Sequence, residues 1–419
     1  MRIILENSNY GIRNLGDVAM LKTAYRRLRH LFPGAEIHIF TTAPKRLQRE
    51  CPGAMPLSQL PRNRLAYGGF LSPSLQIRLG LADAVSLARS LQSRLDNLPR
   101  SISRLRMIPW YRPGITQLLN LFDSCDLVCF SGGGYLTDVF PRGVMAVATT
   151  MALARAKRKP TVLFGQGLGP FNDPVLAKLI SGYLRQCDLI CLREGGASLN
   201  LARSYGISEE RIRVTGDDAI ALARPFANTM VPQYLGVNLR LASYAAVAPE
   251  TFKAVAQGLA SVASNLSVKA VPVPINVHWK NNDLTSSVRL IRDAGMPMIE
   301  VPCPVTCEDA IKTVGVCRTV LTGSYHAAAF ALSQGRTVVA LASSQYYLDK
   351  FNGLSKQFGT GCWVVGTDTQ ELSEAISKAL LTAWEDQPRL QSSLLAAADC
   401  QIALSEEAYK LASSYVKNS

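Results

Sequence analysis

Short apolar runs alternate with stretches of helical period along most of the chain. Residues 2–5 are an apolar run that predicts a strand, and it ends in a polar loop, 7–17, carrying Gly11 and Gly16. Val18, Leu21, Tyr25 and Leu28 then recur at the spacing of one helix face, predicting a helix over 18–31 that Pro33-Gly34 stops. Residues 36–40 are the next strand, so the chain opens as a strand–loop–helix–strand unit of a doubly wound sheet. The rhythm breaks at 60–112, an insertion with an amphipathic helix expected over 73–98, where Leu75, Leu79, Ala82, Val85 and Leu91 could share a face. It resumes with strands at 127–130, 161–164, 189–192 and 213–215, separated by helices at 144–155, 175–186 and 200–205.

Two prolines, Pro225 and Pro232, flank a short polar stretch, and a second unit of the same kind follows. The chain therefore divides into an N-terminal domain, 1–228, and a C-terminal domain, 229–419. Strands of the second are expected at 236–240, 269–274, 299–301, 318–321 and 337–341, with helices at 249–264, 285–294, 307–314 and 327–332. The tail, 369–418, reads as mostly helical and is expected to cross back to the first domain. The fold class is α/β, with two doubly wound units.

Four successive strands of the first domain end in loops that are glycine-rich or charged. They carry Gly132, Gly133 and Gly134; Gly165, Gln166 and Gly167; Arg193 and Glu194; and Asp217 and Asp218. In the second domain the run 321–341 passes through Gly323, Ser324, Tyr325 and His326 as a strand turns into an alanine-rich helix. Asn238 and Arg240 lie at the end of that domain's first strand, and Lys350 lies beyond a later one. Ligands of open α/β sheets bind at the carboxyl edge of the strands. Free N–H groups at a helix start favour an anion there. Arg193, Arg240, His326 and Lys350 thus suit a carboxylate or phosphate, and His326 can move a proton near neutral pH. Asp217 and Asp218, being adjacent, point apart and read as a helix cap or a hydrogen bond across the cleft rather than as an acid/base pair.

Composition narrows the partners. The formal charge of +14 suits an acidic partner, and 45–112 holds twelve Lys/Arg against Glu50, Asp83 and Asp96. Aromatic content is only 7% and no nucleic-acid module is readable, which leaves phosphorylated small molecules or an anionic membrane surface. The ten cysteines include three pairs four apart, and His is scarce, so buried reduced thiols are expected and no metal site. No apolar run reaches the roughly 18 residues of a membrane span, and the N-terminal run is too short for a signal peptide; a cytoplasmic location follows as an expectation. No hydrolase triad motif or Walker lysine loop is present.

Assembled in order, these motifs resemble the polysaccharide pyruvyl transferase family. Asn14-Leu15-Gly16-Asp17 is similar to its N-x-G-D, and Gly132-Gly133-Gly134 to its glycine triplet. Gly165-Gln166-Gly167-Leu168-Gly169-Pro170 resembles its G-x-G-x-GP loop, and Arg193-Glu194 with Ser198 its R-E motif. Asp218 sits at its D-x-A segment, His326 at its late histidine and Lys350 at its later lysine. The resemblance implies a GT-B-like fold, two Rossmann-like domains facing across a cleft. It also implies transfer of an enolpyruvyl-derived unit from phosphoenolpyruvate, a donor substrate rather than a cofactor, to a sugar as a ketal. By the same resemblance Arg193 and Lys350 would hold the donor, with Arg240, Asn238, Gly323, Ser324 and Tyr325 beside them. His326 would be the acid/base. Asn14, Gly16, Asp17, the two glycine loops and Asp218 would face a glycan or lipid-linked sugar acceptor. The basic insertion reads from its own residues either as a solvated helix covering the sheet or as a surface that meets a lipid, at the inner membrane face, or a long acidic acceptor. Ser324 stands where the family often has Arg, so either that charge is absent or Arg240 supplies it. Two alternatives share the fold: a glycosyltransferase using a sugar nucleotide, which needs a carboxylate for the ribose (Glu300 and Glu308 are nearest), and a non-catalytic glycan-binding relative.

Overall fold

The computed structural model describes residues 1–7, 9–67, 112–227, 232–239, 248–278 and 281–417. The inserted helix expected over 73–98, with most of the basic segment, and Arg240, Trp279 and Lys280 lie outside them. Among the described residues no helix is long and apolar enough to cross a membrane.

Two parallel sheets carry the chain. The first contains β1 (Arg2–Glu6), β2 (Glu36–Phe40), β3 (Met55–Leu57), β4 (Leu127–Phe130), β5 (Gly133–Leu136), β6 (Thr161–Leu168), β7 (Leu189–Leu192) and β8 (Ile212–Val214). Their order is β3-β2-β1-β4-β6-β7-β8, with β5 paired to β6. The second contains β9 (Tyr234–Asn238) and β10 (Ala270–Pro272), then, after a short antiparallel pair β11 (Val277–His278) and β12 (Asn281–Asn282), β13 (Cys317–Thr322), β14 (Thr337–Ala342) and β15 (Cys362–Gly366). Its order is β10-β9-β13-β14-β15. Each sheet switches direction once, between β1 and β4 and between β9 and β13, which is where open α/β sheets leave a crevice at the strand ends. Register places Glu6 opposite Phe130 at one switch and Asn238 opposite Thr322 at the other.

The expected strand at 299–301 is absent: the chain makes one isolated bridge there, Ala270 with Met298. Pro297, Pro302 and Pro304 surround it, and proline has no N–H for a ladder. The first helix begins at Leu15 rather than 18, because the Asn14 side chain caps it by accepting from Gly16 N at 3.2 Å.

The two lobes share a core. Leu15, Val18 and Leu21 of the first helix belong to one buried cluster with Ile311, Val314, Ala327 and Phe330 of the second lobe. At its rim Lys22 Nζ is 3.2 Å from Glu50 and 2.7 Å from Glu308 of the second lobe. Main chain also crosses: Leu15 N donates to Ile275 O at 2.9 Å and Val277 N to Arg13 O at 3.1 Å. The C-terminal helix, Leu372–Lys417, does cross back. Ile376, Leu380 and Ala383 pack in the second lobe, while Leu394, Ala398 and Tyr409 join the shared core.

Arg62, from the helix Leu60–Tyr67, ties the start of the insertion to the end of β1. Both it and Glu6 are fully buried. Its guanidinium donates to the Glu6 carboxylate and lies 4.5 Å from the centre of the Phe40 ring. Removing one partner of a buried pair strands the other charge, at a cost of about 3–5 kcal/mol. Arg62→Met should therefore lower the thermal midpoint by several degrees, and adding Glu6→Gln should recover part of the loss. A double variant no better than the single one would show that the pair does not set stability here.

Candidate functional site

The turn after β13 is closed by Thr322, whose Oγ1 accepts from Ser324 N at 2.8 Å and donates to Asn238 Oδ1 at 2.9 Å. Asn238, expected beside a donor, is instead fully buried; its Nδ2 donates to Val273 O at 2.8 Å and Asp283 Oδ2 at 3.2 Å. It braces three strand ends, and its amide is spent on protein. The turn delivers His326 as the second residue of the helix Tyr325–Ser333, only 7% exposed.

Two carboxylates flank the imidazole. Nδ1 lies 4.0 Å from Asp17 Oδ1 and Nε2 lies 3.8 Å from Asp217 Oδ2. This gives the Asn14–Asp17 motif a physical meaning. Asn14 starts the helix, Asp17 in its first turn faces the ring, and Gly16 leaves room for it. A Cβ at Gly16 would fall 2.0 Å from His326 Cγ.

Arg193, just past the end of β7, is 2% exposed. Its guanidinium lies 4.0 Å over the Tyr325 ring and its Nη1 is 3.8 Å from Asp217 Oδ2. Its Nε has no hydrogen-bond partner among the described residues. The next residue, Glu194, is structural: it accepts from Gly196 N and Ser198 N at 2.5 and 2.6 Å, and Ser198 Oγ accepts from Leu168 N at 3.0 Å. Lys350, on the helix Gln345–Phe358, donates to Tyr346 Oη, which donates to Gly134 O at 2.7 Å.

The glycine loops were expected to admit an acceptor. At Gly134 and Gly167 the space a side chain would take is instead filled by protein cations. A Cβ at Gly134 would meet Lys350 Nζ at 2.6 Å and Arg193 Nη2 at 2.7 Å, and one at Gly167 would meet Arg193 Nε and Nη2 at 2.8 Å. Gly132 packs against Gly165, where a Cβ would fall 2.8 Å from its carbonyl oxygen. Gln166 is fully buried and donates to Gly133 O at 3.0 Å. Asp218 also turns away from the cleft, to Arg27, Ser405 and Tyr409. Its neighbour Asp217, read from sequence as a cap or a cross-cleft hydrogen bond, caps its own turn: Oδ1 accepts from Ala219 N at 2.8 Å, while Oδ2 makes no hydrogen bond among the described residues and lies 3.8 Å from His326 Nε2 and Arg193 Nη1.

A cavity of about 960 Å³ opens over these groups. Of the expected residues Asn14, Asp17, Gly134, Arg193, Ser324, Tyr325, His326 and Lys350 line it. Sequence reasoning missed a second set on its wall: Tyr10, Gln59, Arg62 and Asn63, then Tyr135, Phe140, Tyr346 and Tyr347. The pair Tyr346-Tyr347 just before Lys350 was the one readable signal, since two adjacent aromatics in a polar stretch need a surface to cover. Arg240, the expected substitute for the family arginine at Ser324, lies outside the described residues.

Burial pushes the Asp217 carboxyl up to about 7, with Arg193 pulling the other way. Its ordinary value is 3.8, so the folded state holds this proton more tightly than the unfolded chain. The stability it contributes is complete below that value and is lost as pH rises through about 7. Asp217→Asn carries no such proton. The wild-type midpoint minus the variant midpoint should therefore fall between pH 4 and pH 8, by on the order of a few kcal/mol in stability; a flat difference would show an ordinary carboxyl. Gly134→Ala should cost about 1–3 kcal/mol by overpacking. Lys350→Ala added to it should recover part of that, because the methyl then takes the space of the lost ammonium; no recovery would place the clash elsewhere.

The fold is shared widely at low identity. A Listeria monocytogenes protein assigned as a UDP-N-acetylglucosamine 2-epimerase superposes with a TM-score of 0.59 at 12% identity, covering 100% of this chain and 97% of its own. The Neisseria meningitidis UDP-GlcNAc 2-epimerase bound to UDP-GlcNAc gives 0.57 at 11%, covering 100% of both chains. Acinetobacter baumannii MurG gives 0.53 at 11%, covering 99% of both. These likenesses carry the GT-B-like fold. The family model described as polysaccharide pyruvyl transferase matches residues 14–345, a span that takes in Asp17, Arg193, Asp217 and His326. The chain belongs to the polysaccharide pyruvyl transferase family of transferases.

Proposed function

We propose that this transferase moves the enolpyruvyl-derived unit of phosphoenolpyruvate onto two hydroxyls of a glycan or lipid-linked sugar, forming a pyruvate ketal and releasing phosphate. The observation that carries the reading is the buried Arg193, its Nε without a partner among the described residues, set beside Lys350 and His326 in one cavity wall. Buried donors without partners are costly, and a carboxylate or phosphate would complete them.

The chemistry needs a proton at the donor's methylene carbon, which becomes the ketal methyl, and makes the adjacent carbon electrophilic. One sugar oxygen bonds to that carbon and gives up its proton. The C–O bond to phosphate breaks and the second hydroxyl adds in the same way; of the two hydroxyl protons one balances that given to the methylene carbon and the other leaves on phosphate. His326 passes these protons in this reading, which its position between Asp17 and Asp217 supports. Asp17 supports its charged form from one side and Asp217, once ionised, from the other. Arg193 and Lys350 hold the donor's anionic ends. Tyr135, Phe140, Tyr346 and Tyr347 offer faces for sugar C–H groups, and Asn14, Gln59 and Asn63 offer amides for hydroxyls.

The sugar-nucleotide alternative draws less support. Glu308, one of its two nearest carboxylates, lies against Lys22 and Arg26 at the lobe boundary, at 2.7 and 3.6 Å.

Phosphoenolpyruvate should raise the thermal midpoint of the purified protein, by about 2.7 kcal/mol of stabilisation at a hundredfold excess over Kd. Lys350→Ala should lose the shift. His326→Ala should keep it while phosphate release in the presence of acceptor falls by about a thousandfold or more. A shift with sugar nucleotides alone would replace this reading with glycosyl transfer.

A further inference from the structure

Asp217 and Asp218 leave the chain in different directions, so one carboxylate can anchor the backbone that aims the other. Asp218 is 1% exposed and accepts three hydrogen bonds: from Ser405 Oγ at 2.6 Å, Tyr409 Oη at 2.7 Å and Arg27 Nη1 at 3.0 Å. Arg27 also donates to Ser405 Oγ at 2.6 Å, and its guanidinium lies 5.0 Å from the centre of the Tyr409 ring. That ring stacks on Phe164 of β6 with centroids 3.7 Å apart. Ser405 and Tyr409 both belong to the C-terminal helix. Gly216 presses on the same helix: a Cβ there would meet Gln401 Oε1 at 2.5 Å. The backbone is thus seated on this helix on both sides of Asp217.

Asp217 has little else to direct it. Oδ1 is used within its own turn, by Ala219 N. Oδ2 makes no hydrogen bond among the described residues, yet it lies 3.8 Å from both His326 Nε2 and Arg193 Nη1. At that separation the aim of the carboxylate is inherited from its backbone.

We propose that Asp218, Arg27, Ser405 and Tyr409 are positioning residues that hold Asp217 against His326, so that the C-terminal helix sets the proton affinity of the cleft histidine. Arg27 strengthens the case, because it sits on the helix whose first turn supplies Asp17 to the other side of the ring. Among the described residues, the charged and titratable groups facing His326 include Asp17 and Asp217, with Tyr325 edge-on at 5.4 Å and Arg193 beyond Asp217. The inference rests on the reading of His326 as the proton-transfer group.

The test is the titration of His326 in the ligand-free protein, followed by NMR of selectively labelled histidine and assigned through His326→Ala. Tyr409→Phe removes one hydrogen bond to Asp218 and keeps the ring on Phe164. It should lower the His326 midpoint by about half a pH unit or more, because the imidazolium loses part of the support that Asp217 gives as it ionises near neutral pH. In an Asp217→Asn background the same change should have no further effect. A merely structural role would not give that dependence. An unmoved midpoint in Tyr409→Phe, or an equal shift with Asp217→Asn present, overturns the proposal. Ser405→Ala serves as the second variant if Tyr409→Phe folds poorly. Phosphoenolpyruvate stabilisation of the wild type, measured separately, tests the donor reading, and its absence leaves the histidine titration to decide this one.

Discussion

A guanidinium held out of water is the constraint around which the cleft is built. Burying a charge is unfavourable unless partners replace its hydration. Arg193 is almost fully buried, with one carboxylate at 3.8 Å and an aromatic face at 4.0 Å. Those two contacts dictate their neighbours. The aromatic face is Tyr325, so the next residue along the helix, His326, comes to the same wall. The carboxylate is Asp217, so the loop after β8 must reach the cleft. The flat fork needs room on its other side, which is why Gly134 and Gly167 carry no side chain.

Much of this was legible in the sequence. Strand-forming runs followed by glycine or charge gave the sheet edges, and the order of motifs gave the family. The strand ends did bring Arg193, His326 and Lys350 to one cavity. What was misread has a common cause. A polar or small residue at a strand end reads as a ligand contact, although the same residue serves equally to satisfy buried backbone or to make room for another side chain. Asn238 does the first, Gly134 the second. Asp217 and Asp218 could not be told apart, since what separates them is a helix almost two hundred residues later. Apart from the Tyr346-Tyr347 pair, the aromatic and amide wall of the cavity has no local pattern. It exists only once the lobes are packed.

Fold and chemistry have separate warrants here. Neighbours that superpose over nearly the whole chain are about one-tenth identical to it, so they fix the GT-B-like arrangement of lobes and nothing in the cleft. The cleft is argued from its own groups. A histidine between two carboxylates beside two cations suits proton traffic around an anionic substrate.

The shared core has a consequence for water. Enzymes that close a hinge over their substrates expel solvent by motion. Here the first helix of one lobe is buried with two helices of the other, main-chain hydrogen bonds cross between Arg13, Leu15 and the segment before β11, and a single long helix belongs to both lobes. Swinging such lobes apart would expose apolar surface at each turnover. Dryness at the histidine must then come from whatever fills the cavity; under the proposed reaction the second substrate would be the lid for the first.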